Sequence, residues 1–205
     1  MDPVSQGAFG AIFAQTVSGR RKYIAGAILG CLAGLAPDLD ILIRSSSDPL
    51  LGLEFHRQFT HSLVFIPFGA LIVALCTRFI FKKYLKWRET LMFCFFGYAT
   101  HGLLDTCTSY GTLLFWPFSN ERITWNNISI IDPLFTLPIL GLVIAAAKTS
   151  KRMYSAIAVI WAISYLSLGI YLNGTVEKIG KKIAIDRGHK IVRISTKPSF
   201  GNKAL

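Results

Sequence analysis

With 52% hydrophobic and only 16% charged residues among its 205, the chain is too apolar for an ordinary soluble domain, where about a quarter of residues are charged. Its 22 Lys and Arg against 11 Asp and Glu leave a formal net charge of +11, which by itself would suit nucleic acid or acidic lipid. The basic residues fall between hydrophobic runs and in the C-terminal tail, where membrane topology places them, which argues against nucleic acid and for membrane lipid.

A bilayer core of about 30 Å needs about 20 apolar residues per spanning helix, and segments at or near that length recur along the chain. The first, residues 3–18, is short for a span and reads as a shallow or re-entrant helix ending at Arg20-Arg21-Lys22. Asp2 and the lack of a basic stretch before it argue against a secretory signal. Residues 23–36 carry Gly26, Gly30 and Gly34 at four-residue spacing, a face that lets another helix approach closely, and stop at Pro37-Asp38-Leu39-Asp40.

Residues 62–81 form a full-length span followed by a basic group, Arg78 to Arg88. Residues 90–108 return with His101 and Asp105 inside the apolar pattern, 109–127 read as a loop, and 128–147 and 154–172 supply two more helices. Trp116, Trp125, Phe115 and Phe118 mark that loop as an interfacial aromatic belt. The pattern predicts an all-α membrane protein, a bundle of five to six membrane-embedded helices in residues 1–173 with a basic tail, 174–205. Alternation around Asp186-Arg187-Gly188-His189 suggests a small β-hairpin in that tail. The four cysteines, with no CxxC pair, read as small packing residues.

Orientation follows from the basic loops. The turns 19–22, 78–88 and 148–152 hold three, five and three Lys or Arg, whereas 37–61 and 109–127 hold only Arg44, Arg57 and Arg122. The latter loops are therefore expected outside the cytoplasm, on the periplasmic side if the source is a Gram-negative bacterium. The tail, with eight Lys and Arg after Leu172, falls on that same outer side by the span count, against the rule.

Ionisable groups at membrane depth cost about 2.5–3.5 kcal/mol each on insertion scales, so they call for a reason. Asp38, Asp40, Asp48, Glu54, Asp105, Glu121 and Asp132 fall on the inferred outer side, with His56, His61 and His101. His101 and Asp105, four apart on a helix, share one face, as two ligands of one cation require. Imidazole with carboxylate suits a divalent metal, Zn²⁺, Mn²⁺ or Fe²⁺, and a metal that activates water points to hydrolysis. Taken singly, each of these residues also fits a structural role as a helix-end or helix-joining polar group.

Arg57, between the two histidines, has the planar fork that binds phosphate or carboxylate, and could equally pair with Asp48 or Glu54. Asp132 before Pro133 reads first as a helix cap, with binding the metal or supporting one of its ligands as the alternative.

Three blocks carry a resemblance: Ala36-Pro37-Asp38-Leu39-Asp40, then His56-Arg57-Gln58-Phe59-Thr60-His61-Ser62, then Gly97-Tyr98-Ala99-Thr100-His101-Gly102-Leu103-Leu104-Asp105 running on to Trp116-Pro117. In this order they resemble the YdjM-like membrane-bound metal-dependent hydrolases of bacteria, over roughly residues 1–170. The resemblance implies metal ligands at Asp38, Asp40, His56, His61, His101 and Asp105, and a distant likeness to zinc-dependent phospholipase C. Some members carry a His where this chain has Gln6 and another where it has Ile41. Longer members continue the tail into a soluble extension.

The expectation is a metal-dependent hydrolase at the membrane interface, acting on a phosphoester or lipid, with Asp38 or Asp105 as general base and Arg57 binding substrate. The alternatives are a metal or proton transporter, which would need polar residues across the full membrane depth, and a structural protein stapled by metal.

Overall fold

The computed structural model describes residues 1–43, 47–48, 52 and 55–200. Among these lie six α-helices: α1 (Pro3–Thr16), α2 (Tyr23–Leu35), α3 (Ile66–Phe81), α4 (Trp87–Thr106), α5 (Pro133–Thr149) and α6 (Arg152–Asp186). Arg44 and Glu54, which entered the loop reading, lie outside the described residues. Two helical stretches, Arg20–Leu42 and Arg152–Asp186, are long and apolar enough to cross a bilayer, and α3 and α5 are shorter apolar helices. Large apolar side chains face outward, among them Phe68, Leu75 and Phe79 on α3 and Ile160, Ile163 and Ile170 on α6. An apolar exterior of this extent calls for lipid or protein cover.

The short first segment is the centre of the bundle. Asp2 caps α1 by accepting the Ser5 amide at 3.0 Å, with Pro3 at the first helical position. α1 then packs against α2, α4, α5 and α6, and every residue from Ser5 to Ile12, together with Ala14 and Gln15, is buried. A helix enclosed by protein need not match the bilayer in length, so the shortness of α1 goes with its enclosure.

Glycines set the closeness of the centre. A Cβ on Gly10 or on Gly97 would collide with the Gly30 carbonyl, so the backbones of α1, α2 and α4 meet at one level. Two apolar cores flank this seam. Phe9, Ile12, Phe135 and Ile139 join α1, α5 and α6, and Leu29, Ala70, Ala74, Phe93 and Tyr98 join α2, α3 and α4.

Successive helices alternate in direction, and the basic turns gather at one end, where the Lys22 ammonium meets the Glu89 carboxylate at 2.5 Å. The opposite end carries the turn after α2, the turn before α3 and the 107–132 connection. That connection clasps the bundle through Trp125 N–H to Thr106 O at 2.7 Å and Leu113 N–H to Arg57 O at 3.2 Å. Phe115, Phe118 and Trp125 project outward from it, while Trp116 packs near Phe59 at 6.1 Å between centroids.

Three further sequence expectations are corrected. The last helix does not stop near Leu172: α6 runs 35 residues, about 52 Å at 1.5 Å per residue, beyond a hydrocarbon core of about 30 Å. The expected β-hairpin is absent from the described residues, because Ile183 and Ile185 extend the helix. Gly188, at φ +68°, ends it in a Schellman motif, with His189 N–H bonded to Ala184 O and Gly188 N–H to Ile185 O, both at 2.9 Å. The fifth helix begins at Pro133 rather than 128, since Asp132 caps it there. α6 meets the 107–132 connection within its length, where Asn173 Nδ2 donates to Trp125 O at 3.0 Å, and the tail leaves it farther on, after Asp186.

Candidate metal centre

Pro37 stands one residue beyond the C-cap position that follows Leu35, and the chain tightens there into a 3-10 turn, Ala36–Leu42, that sends Asp38 and Asp40 in different directions. A second 3-10 turn, Phe59–His61, holds His61 just before α3. The last turns of α4 present His101 and Asp105 from one face.

These segments bring Asp38, His61, His101 and Asp105 together, with one ligand atom from each lying within 4.8 Å of all the others. Asp38 Oδ1 stands 3.4 Å from His61 Nε2 and 3.3 Å from His101 Nε2. Asp105 Oδ2 stands 3.5 Å and 3.7 Å from the same two nitrogens, which are 2.9 Å from each other. Four ligands about 2.0–2.1 Å from a zinc ion stand about 3.3–3.4 Å apart in a tetrahedron, so the cluster has the dimensions of a coordination shell.

The hydrogen bonds around the cluster decide which atoms point inward. His101 Nδ1 lies 2.5 Å from the Gly34 carbonyl, which only accepts, so Nδ1 carries the proton and Nε2 faces the centre as a lone pair. Thr60 donates its hydroxyl proton to Asp40 Oδ2 at 2.8 Å, and its oxygen accepts from His61 Nδ1 at 2.9 Å. His61 Nε2 therefore also faces inward without a proton when the ring is neutral. Two imidazole lone pairs 2.9 Å apart repel unless a proton or a cation is shared among them.

Asp105 adds to that demand. Its Oδ1 accepts from Gln6 Nε2 at 2.9 Å and from the Met1 amino group, whereas its buried Oδ2 has no hydrogen-bond donor. The donor set, two imidazoles and two carboxylates, suits a divalent ion of the zinc, manganese or iron class. Burial drives the His61 pKa down, but the neighbouring carboxylates of Asp105, Asp38 and Asp40 outweigh it and hold the pKa above the ordinary histidine value.

Two of the six residues expected as ligands stand outside this cluster. Asp40 turns away from it and binds the Arg57 amide at 3.0 Å, Thr60, and His56 Nδ1 at 2.7 Å. His56 keeps about a third of its side chain exposed and has Asp40 as its partner. These residues brace His61 from behind: Asp40 Oδ2 lies 3.4 Å from its Nδ1.

Arg57 sits in the left-handed region at φ +63°, unusual for a side chain of its size, and its guanidinium lies 5.2 Å over the Tyr110 ring. Its Nε approaches Asp105 Oδ2 at 3.4 Å, while Nη1 is buried with no acceptor. Asp132 is spent elsewhere, accepting from the Leu134 and Phe135 amides at 3.1 and 3.2 Å and from the Tyr165 hydroxyl at 2.8 Å.

Sequence reading missed three partners. Thr60 was visible inside the His-rich block, but only its bond to Asp40 reveals its task. Gln6, a polar residue in an apolar run, carried a signal; the Gly34 carbonyl, as backbone, carried none.

Comparison with known proteins finds inner membrane proteins. The inner membrane protein YbcI of Escherichia coli (strain K12) is 34% identical over 109 residues, 49% of this chain and 60% of that protein. The chain thus spans about three-fifths of the length of this curated relative. No solved structure matches the chain. Residues 1–176 match the YdjM inner membrane protein family, and the chain belongs to that family of inner membrane proteins.

Proposed function

We propose that the protein is a metal-dependent hydrolase of phosphoesters, working at the membrane interface. The observation that carries this reading is the convergence of Asp38, His61, His101 and Asp105 around a point that two lone pairs and an undonated carboxylate oxygen leave electron-rich. A divalent ion held there would supply Lewis acidity and lower the pKa of water.

The chain's own groups divide the remaining work. Asp105, His61 and His101 have fully buried side chains and serve as ligands, whereas Asp38 is 29% exposed and faces the approach to the cluster. Asp38 is therefore the better-placed base of the two carboxylates considered. Arg57 offers its unpaired Nη1 to a phosphate oxygen, held by the Tyr110 ring so that little side-chain freedom is lost on binding. In the net reaction the water oxygen joins phosphorus, the ester P–O bond breaks toward the leaving oxygen, and the water's protons pass to the base and the leaving group.

A second reading, a metal that only staples α2, the turn before α3 and α4, is favoured by the burial of three of the four ligands, since structural metal sites are closed. Metal content and phosphodiesterase activity of the detergent-purified protein separate the two. Wild type is expected to hold about one equivalent of metal, lost in His61→Ala and in His101→Ala, and to hydrolyse bis(p-nitrophenyl) phosphate. Metal bound without hydrolysis of any phosphoester would leave the staple; no metal after loading with Zn²⁺ or Mn²⁺ would end both readings.

A further inference from the structure

A groove of about 570 Å³ runs between α2 and α3, within the size range of ligand sites. Leu32, Leu35 and Leu39 line one wall, and Ile72, Val73 and Cys76 the other. α3 leans on α4 through the buried Ala70 and Ala74 and touches α2 only lightly, which leaves the gap open sideways. From Gly69 to Thr77 it extends about 12 Å along α3 at 1.5 Å per residue.

One end of this apolar groove is polar. Asp40, Thr60 and Tyr98 close it, and the Tyr98 hydroxyl donates to the Thr60 carbonyl at 2.9 Å. Asp40 and Thr60 are the pair that orient His61. The groove thus begins at the back of the metal cluster and leads away along membrane-embedded helices. A second groove, about 540 Å³ between α1, α2 and α5, is lined by Val4, Ala8, Ile28 and Leu140 among others; it shares Leu32 and Leu35 with the first, and neither Asp40 nor Thr60 borders it. The two are alike in size and apolarity and differ in what they adjoin.

We infer that the α2–α3 groove is the acyl-chain subsite of the enzyme, and that its substrate is an acyl-bearing phospholipid entering sideways from the bilayer. The inference rests on the proposed hydrolase reading for the word substrate, but the seat for an acyl chain stands on the groove itself. A chain lying along Ile72 and Cys76 brings the lipid's polar end to the Asp40–Thr60 rim, beside Asp38 and His61. Burial of a chain between two apolar walls contributes free energy that fixes the head group near the ligands, and a soluble ester lacks it. The run of about 12 Å admits part of one chain; the rest stays in the surrounding lipid.

The test uses full-length protein in vesicles of phosphatidylethanolamine and phosphatidylglycerol doped with phosphatidylethanolamine bearing a diazirine in its acyl chain. After irradiation, label is expected to concentrate on residues 36–43 and 65–77, which border this groove and not the other, and to fall about tenfold in Ile72→Trp and in Cys76→Trp. Ile28→Trp, in the other groove, is expected to leave it unchanged. Reversible modification of Cys76 with hexyl methanethiosulfonate, in a Cys31→Ala background, plugs the groove without a bulky substitution in case a tryptophan variant fails to fold. Label spread equally over both grooves, or undiminished by plugging, overturns the inference.

Hydrolysis is read separately on the same doped lipid and on bis(p-nitrophenyl) phosphate. Cleavage of the soluble ester alone would overturn the lipid substrate while leaving the hydrolase. Groove labelling with no hydrolysis of either would overturn the hydrolase and the substrate claim together, leaving a lipid seat.

Discussion

Asp40 accepts the Thr60 hydroxyl proton at 2.8 Å, and this bond selects the His61 nitrogen that faces Asp38. Once Thr60 has given its proton away, its oxygen takes one from His61 Nδ1, and Nε2 is left as the lone-pair donor. A carboxylate outside the cluster thus prepares a nitrogen that faces into it. Removing such a brace typically costs about 10- to 100-fold in metal affinity. Asp40→Ala is expected to weaken Zn²⁺ binding by that factor while keeping the stoichiometry, as read by competition with a chromophoric chelator; unchanged affinity would mean His61 is held by packing alone.

Metal affinity is expected to rise with pH. The carboxylates around His61 hold its pKa above the ordinary value, so the metal-free protein keeps that proton to higher pH than a free histidine would. Binding must displace it, which weakens affinity by up to about tenfold per pH unit below the raised pKa and no further above it. Chelator competition between about pH 6 and pH 9 would show this slope levelling off, and a flat profile would place His61 outside the shell.

Asp132 is expected to matter to stability and not to metal. It caps α5 through two amides and receives the Tyr165 hydroxyl, so Asp132→Ala should cost about 1–2 kcal/mol, seen as a lower thermal midpoint. Metal content should stay at the wild-type level. Loss of metal at unchanged stability would return Asp132 to the site.

Gly97 should tolerate no side chain. Its Cβ would meet the Gly30 carbonyl and backbone, which no rotamer change relieves. Gly97→Ala is expected to destabilise by about 1–3 kcal/mol, as overpacking does, and to loosen metal binding because α4 carries His101 and Asp105. Gly141→Ala on α5, where a Cβ meets nothing within 4 Å, is the matched control and should be nearly neutral.

The sequence showed the helices and the gathering of His and Asp at one end more readily than which of those residues converge. His101 and Asp105 were legible as a pair because helical spacing alone puts them on one face. Asp38 and Asp40 were not separable, since their divergence depends on the tight 3-10 turn that Pro37 opens. His56 and His61 looked alike in one block, yet one is buried against His101 and the other pairs with Asp40 near the surface. The tail was misread because alternating isoleucines fit a strand as well as a helix edge, and only continuity with the preceding turns decides between them. The central place of α1 was hidden for a related reason: length reports on bilayer thickness only when a helix faces lipid.

The meeting of Gly10, Gly30 and Gly97 determines how the protein keeps its spacing. Where side chains separate two helices, a rotamer change can alter the distance between them; where backbones touch, the distance is fixed at its minimum. The three helices in contact lead to Asp105's partner Gln6, to Asp38, and to His101 with Asp105 itself. The register of these residues is therefore a property of the main chain. Substitutions on the lipid-facing surfaces, or a change in the membrane around them, can reshape the exterior of the bundle without changing the gauge of its centre.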